Sequence, residues 1–297
     1  MNALSHILAA TDFSDCAART VERAARLAGE QQATLHLVHV MAGQLTPAAA
    51  GAGALQPLAS PQRLLDSARS RLADQAALLV RRFGMPVQSE WLVGRTHGEL
   101  ARYAAARAID LSVFGAHGEQ FVRDLFVGST ATNHLRKGRQ PTLVVRSGPE
   151  RPYEQVLVAV DFSPAARLAV EAAQRIAPQA CIHVLHVSEV PFEGKMRFAG
   201  IDEDDISIYR RKAEQQATRA LDEFLGGIEG TAGLSRSAID GRPAHIIMAQ
   251  ARARQADLVV MGKRGQFELD EFLLGSVTLR VLEEIDRDLL LVAPNGD

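Results

Sequence analysis

Phosphate oxygens need several hydrogen-bond donors converging on one point, and a glycine turn running into a helix supplies them from the backbone without basic side chains. The sequence holds such a pattern at Gly115-Ala-His-Gly118, nine residues, then Gly128-Ser129-Thr130. It holds the pattern again at Gly262-Lys-Arg-Gly265, nine residues, then Gly275-Ser276-Val277. Glycine permits φ > 0 and lets the backbone approach a ligand that a Cβ would obstruct. Gly128-Ser129-Thr130 and Gly275-Ser276-Val277 read as helix starts, where the first N–H groups lack intrahelical partners and a serine hydroxyl can add a donor. Each glycine of one copy lies 147 residues from its counterpart, about half of the 297-residue chain, so one unit has been duplicated. A lone pair of glycines would mark only a strand-to-helix turn. Two full copies of G-x2-G-x9-G-S, each behind an apolar run (111–114 and 258–261), favour phosphate binding. Two other phosphate patterns are missing: there is no G-x4-G-K-S/T, and the nearest approach to G-x-G-x-x-G, at Gly51 and Gly53, fails at Gln56.

The elements that must position these glycines also come in two sets. Residues 7–10 form a short apolar run ending in Thr11-Asp12-Phe13-Ser14, followed by apolar positions at helical spacing through Leu27. Residues 156–160, then Asp161-Phe162-Ser163-Pro164 and a helical run to Ile176, repeat it. In each copy the Ser is placed to cap the helix, and the Asp sits at the carboxyl end of the first strand. Second strands follow at 34–40 and 181–187. Residues 42–58 are an Ala/Gly/Pro-rich stretch without periodicity, read as a flexible loop, whereas 188–205 is charged and contains Asp202-Glu-Asp-Asp205, read as a solvated loop and helix start. Long amphipathic helices are expected from Ser60-Pro61 to about Phe83 and from about Asp205 to Leu225. Third strands at 87–93 and 235–239 end in Gly94-Arg95 and Gly241-Arg242, and short helices follow at 99–108 and 244–254. Asp110 and Asp257 introduce the fourth strands, and apolar fifth strands close the halves at 142–145 and 289–292. Alternating strands and helices imply parallel α/β sheets, with ligands outside the carboxyl ends of the strands. The expected domains are residues 1–148 and 152–297.

Composition limits the function. A net charge of −2 provides no basic surplus for nucleic acid or an anionic membrane. No apolar run approaches the ~18–20 residues of a membrane span, and Met1-Asn-Ala-Leu-Ser-His lacks the features of a signal peptide, so the expected location is the cytoplasm. Cys16 and Cys181 fall at non-equivalent points of the repeat and form no C-x-x-C; both are read as buried or partly buried thiols. The pairs His36/His39 and His183/His186 invite a metal reading, but strand residues three apart face opposite ways, so core or surface roles are favoured. Asp12 and Asp161 lack a second identifiable carboxylate for acid–base work, which favours recognition or loop capping over catalysis. The short basic run Arg136-Lys-Gly-Arg139 reads as a solvated face.

With these residues in hand, the chain resembles the universal stress protein family in its tandem form, across essentially its whole length. The resemblance rests on the strand that ends in Asp12-Phe-Ser, His39-Val40 closing the second strand, Gly94-Arg95, Asp110 and the glycine pattern, each repeated in the second half. It implies, for each domain, a doubly wound five-stranded parallel sheet of order 3-2-1-4-5 flanked by helices. The family's nucleotide-binding members carry this glycine pattern, and members that have lost it do not bind ATP. By position, the resemblance sets Asp12 and Val40 against the adenosine end and Gly115, Gly118, Gly128, Ser129 and Thr130 around the ribose and phosphates. The matching second-half positions are Asp161, Val187, Gly262, Gly265, Gly275, Ser276 and Val277. The expected ligand is therefore an adenine nucleotide, ATP with or without Mg2+, and the expected role is binding or signalling in a stress response, with no catalytic residue and no resident metal assigned. A slow ATPase or nucleotide-dependent enzyme and a ligand-free interaction scaffold are the competing readings. The halves differ where Thr130 is replaced by Val277 and Ala-His by Lys263-Arg264, whose charges favour the second half. Family domains associate through the fifth strand, which implies an intrachain pseudo-dimer and leaves a homodimer of the whole chain open.

Overall fold

Short, nearly continuous apolar runs can be buried on both faces, and this is what parallel strands under two helical layers require. In the first half the computed structural model, which describes residues 3–41, 61–116, 129–138, 140–146, 151–188, 198–264 and 274–293, forms such runs into β1 (His6–Ala10), β2 (Thr34–Met41), β4 (Leu111–Gly115) and β5 (Thr142–Val145), with the more polar and more exposed β3 (Val87–Val93) at the sheet edge. Between them lie α1 (Asp15–Gln31), α2 (Pro61–Phe83), α3 (Thr96–Ala106) and α4 (Ser129–Lys137). The second half repeats the series as β6 (Gln155–Val160), α5 (Pro164–Ile176), β7 (Cys181–Ser188), α6 (Glu203–Gly226), β8 (Ser235–Asp240), α7 (Pro243–Ala253), β9 (Leu258–Gly262), α8 (Ser276–Glu284) and β10 (Asp288–Val292). The chain divides into two compact units between Pro152 and Tyr153.

All pairings within each unit are parallel. They run β3-β2-β1-β4-β5 in the first and β8-β7-β6-β9-β10 in the second, which is the expected 3-2-1-4-5 order twice. The chain leaves β1 toward β2 and later returns to the other side of it as β4. The strand order therefore reverses between β1 and β4, and the carboxyl edge at such a switch point is where sheets of this kind place their ligands. In the second unit the same switch point lies between β6 and β9. The core is aliphatic: Ile7, Leu8, Leu35, Leu37 and Leu111 in the first unit, and Leu157, Leu185 and Ile206 in the second, are sealed from solvent. Each such side chain contributes roughly 1.5–3 kcal/mol by burial.

The opposite edge of each sheet is fastened by an aspartate. Asp110 Oδ2 accepts hydrogen bonds from the backbone N–H groups of Ser5 and His6 at 2.8 and 2.9 Å, joining the start of β4 to that of β1. Asp257 Oδ2 accepts from Glu154 and Gln155 at the same distances. These two aspartates are fold residues, at the end of the strands away from the crevice.

Several local expectations shift. The helix α3 starts at Thr96, before the expected Glu99, and stops at Ala106 because Ala108 adopts φ 49°. Helix α7 starts at Pro243, whose fixed φ and missing N–H suit a first helical turn. Helix α6 starts at Glu203, with Asp202 as its N-cap accepting from the Asp204 N–H, and it carries three acidic residues in its first turn, where the helix dipole favours them. Cys181 is exposed rather than buried, because it opens β7 at the amino edge of the sheet; Cys16 is half-buried. The expected loop at 42–58 lies outside the described residues.

Candidate functional site

The loop after the first strand is built on one plan in both units. Phe13 and Phe162 adopt φ of 64° and 66°, a left-handed conformation that costs a phenylalanine about 1–3 kcal/mol. Three contacts hold it. Asp12 Oδ1 accepts from the Ser14 N–H at 3.0 Å, and Asp161 Oδ1 from the Ser163 N–H at 3.1 Å, so each aspartate closes its own turn. Ser14 and Ser163 then cap α1 and α5, each Oγ accepting from a backbone N–H three residues on, at 3.1 Å. The displaced rings stack on histidines: Phe13 on His39 with centroids 4.8 Å apart, and Phe162 on His186 at 4.2 Å. The histidines are fixed in turn, since His39 Nδ1–H donates to the Thr11 carbonyl at 2.7 Å and His186 Nδ1–H to the Val160 carbonyl at 2.9 Å.

The other histidine of each pair is buried elsewhere. His36 Nδ1 lies 3.0 Å from the Tyr103 hydroxyl and its Nε2 lies 3.1 Å from His6 Nδ1. His183 lies between the hydroxyls of Ser235 and Ser237 at 2.9 and 2.8 Å. Burial, reinforced by His6 and Arg107 in the first case and by Arg254 in the second, lowers both imidazoles to about 4. Among the described residues no group of three His, Cys, Asp or Glu side chains is placed to hold a metal ion.

In the second unit the crevice is a cavity of about 480 Å³. Ala159, Leu185, Val187, Ile247 and Met261 supply an apolar side, while Asp161, Arg264 and Ser276 supply polar groups. Of the seven second-half positions singled out from sequence, Asp161, Val187, Gly262, Gly275, Ser276 and Val277 line this one cavity, and Gly265 lies outside the described residues. Gly262 ends β9 where a Cβ would stand 3.0 Å from Ala165 Cβ and 3.1 Å from the Arg264 carbonyl oxygen, so only glycine fits without displacement. The two sides of the glycine stretch are tied together: the Gly275 N–H donates to the Lys263 carbonyl at 3.0 Å, and Thr278 Oγ1 donates to the Gly262 carbonyl at 3.0 Å. Gly275 is the N-cap of α8 and no side chain caps that helix, so the positive end of its dipole is presented where Gly275 and Ser276 line the cavity.

The adjacent cations separate. Arg264 is half-buried and lines the cavity, whereas Lys263 is only 3% exposed and is not part of the lining. Burial, with the Arg264 guanidinium adding to it, lowers the Lys263 ammonium to about 7. Charge from this pair therefore reaches the cavity through Arg264.

In the first unit Asp12 follows β1, Val40 lies near the end of β2, and Gly115 ends β4, all at the carboxyl edge. Ser129 and Thr130 open α4, while Gly118, Gly128 and His117 lie outside the described residues. Sequence reasoning overlooked Phe162 and His186, the stacked pair at the cavity wall, and Pro243 and Ile247, which α7 brings to it. The repeated Phe of Asp-Phe-Ser and the repeated second His were the available signals for the first two.

Comparison with known proteins agrees with this architecture. The model of the universal stress protein family matches residues 4–146 and again 152–293. A universal stress protein of Mycolicibacterium smegmatis is 25% identical over 304 aligned positions, covering 97% of this chain and 97% of its own. Universal stress protein YxiE of Bacillus subtilis is 29% identical over 147 positions, 47% of this chain against 99% of its own length. The crystal structure of a universal stress protein from Archaeoglobus fulgidus shares the fold, with a TM-score of 0.64 at 18% identity over 98% of each chain. Matched in both of its halves, the chain belongs to the universal stress protein family.

Proposed function

We propose that the second unit binds an adenine nucleotide, ATP with or without Mg2+, in the cavity between β6 and β9. The observation that carries this reading is the convergence of Asp161, Val187, Gly262, Gly275, Ser276 and Val277 on one cavity of about 480 Å³, a volume in the ~300–1,000 Å³ range of small-molecule sites. The apolar side suits a base. The start of α8 and Arg264 suit phosphates, and Gly265 completes the glycine set. Asp161 and Val187 take the adenosine end. The first unit is assigned the same ligand through Asp12, Val40, Gly115, Gly118, Gly128, Ser129 and Thr130, with weaker phosphate attraction because Ala116-His117 replaces Lys263-Arg264.

In this reading the protein is a cytoplasmic stress-response binding or signalling protein with domains at 1–148 and 152–297, and association of the two domains through their fifth strands belongs to the same proposal. No helix among the described residues is long and apolar enough to cross a membrane. Turnover is not expected, since Asp161 is engaged in its own turn. The test is equilibrium dialysis of nucleotide-stripped protein against labelled ATP and Mg2+, with ADP followed in the same samples. Saturable binding without sustained ADP release is expected. Steady release of ADP would make the protein an ATPase, and no binding at millimolar ATP would leave the scaffold reading.

A further inference from the structure

Helix α6 of the second unit carries a surface that its fold does not use. Its buried face is made by Ile206, Ala217, Leu221 and Leu225. On the opposite face Ile208 is 43% exposed and, beside it, Tyr209 is 55% exposed; Phe198 and Ile201, just before the helix, are 96% and 40% exposed. Four large apolar side chains in twelve residues, all open to solvent, are more than half of the exposed large apolar residues among those described, the others being Leu78, Val80 and Val93 of the first unit.

The charges around Ile208 form a palindrome. Asp204 stands four residues before it and Lys212 four residues after, both exposed and, at 3.6 residues per turn, on the same side of the helix as Ile208. Asp205 repeats the acid about 100° further round the helix, three residues before Ile208, where the exposed Arg211 mirrors it three residues after. Asp204 and Lys212 are about 12 Å apart along the axis at 1.5 Å per residue, too far to pair with each other. Among the described residues Asp204, Asp205 and Lys212 have no ion-pair partner, whereas the neighbouring Arg210 is held by Glu203 at 3.3 Å. The helix dipole accounts for acid in the first turn. It does not account for an exposed isoleucine and tyrosine beyond that turn, nor for the lysine that mirrors the acid.

We infer that this face of α6 is an interface between two copies of the chain, packed antiparallel about a twofold axis through Ile208. That operation lays Asp204 of each copy on Lys212 of the other, and Ile208 on its own counterpart with Tyr209 alongside. A twofold contact must be self-complementary, and acid, apolar and base at equal spacing about one residue meet that requirement. An unrelated partner would need no such mirror. One helix face is a small contact, so the association is expected in the micromolar range and weakened by salt. It is independent of nucleotide binding.

Sedimentation of the whole chain over a series of concentrations, with and without 0.5 M salt, tests this together with charge exchange. Asp204→Lys and Lys212→Glu should each weaken association about tenfold, and the double variant, in which the pairs are restored with signs reversed, should recover it. In a Cys16→Ser/Cys181→Ser background, Ile208→Cys should form an intermolecular disulfide on mild oxidation, because the axis brings those two positions together. Thr218→Cys, ten residues along, should not. The inference is overturned by a chain that stays monomeric to 200 µM, by association indifferent to either single charge reversal, by a double variant no tighter than the singles, or by equal cross-linking at 208 and 218.

Discussion

The two halves share one frame and dress it differently. In both, an aspartate at the start of the fourth strand fastens the first, a left-handed phenylalanine follows that strand, and a histidine on the second strand stacks on it. What lies around the frame differs. The Phe13 ring carries the Arg71 guanidinium at 4.6 Å, while Phe162 meets the ring of Phe224 at 5.5 Å. The His39 ring also meets Trp91, with centroids 4.7 Å apart. The buried histidine of the first half is bonded to Tyr103 and His6, and that of the second to two serines. After duplication the backbone devices that set the crevice have been kept in both copies, and the side chains that fill the space around them have diverged. A contact present twice with the same geometry belongs to the shared frame, and one present once is a candidate for a difference between the halves.

The largest expected effect tests the buried histidines, which hold the same strand position with different partners. An imidazole of 6.5 in the unfolded chain and about 4 in the fold leaves stability unaffected above about pH 6.5 and lowers it as pH falls toward 4, because the unfolded chain takes up the proton first. The loss is about 3 kcal/mol per histidine at 1.36 kcal/mol per pKa unit. Urea unfolding at pH 7 and pH 4.5 should show a pH dependence that falls by a similar amount in His36→Gln and in His183→Gln. If only one variant loses it, the shared position does not act alike in the two halves.

Asp110→Ala and Asp257→Ala come next. Each leaves two backbone donors without their carboxylate, at a cost of roughly 2 kcal/mol, and the two costs should agree within about 1 kcal/mol when measured by chemical denaturation. A larger difference would break the claim of a common frame. A smaller effect sharpens the difference between the halves at the crevice. Arg264→Ala should weaken ATP binding by the second unit about tenfold, equivalent to ~1.4 kcal/mol, while Lys263→Met, whose ammonium lies outside the lining, should change it by less than about twofold. Calorimetric titration of both variants distinguishes them, and the reverse order would mean that the lysine serves the ligand.

Much of this was legible in the sequence because duplication wrote each signal twice. The parallel α/β class follows from the alternation of apolar runs and helical periods, the strand order comes only from the resemblance to a family, and the glycine stretches mark the crevice through a property of the backbone. The positions that escaped are those whose role depends on side-chain direction in a turn, where no periodicity applies. Lys263 and Arg264 are adjacent and alike in charge, yet one turns into the protein and the other into the cavity. Asp110 and Asp257 are visible as a repeated letter, but their use as clamps on the first strand depends on a neighbour more than a hundred residues away. The left-handed phenylalanines are hidden because that conformation is unexpected of a bulky residue until the stacked histidine is seen.

The central claim is that the crevice between β6 and β9 is a nucleotide site shaped by close backbone approach at Gly262. Calorimetric titration of ATP into nucleotide-stripped Gly262→Val, beside the unaltered chain, tests it most directly, with circular dichroism confirming that the variant is folded. A valine there must displace Ala165 or the Arg264 backbone, and the account predicts at least about a hundredfold loss of affinity at the second site, ~2.7 kcal/mol. A folded Gly262→Val protein that bound ATP with unchanged affinity and stoichiometry would contradict it.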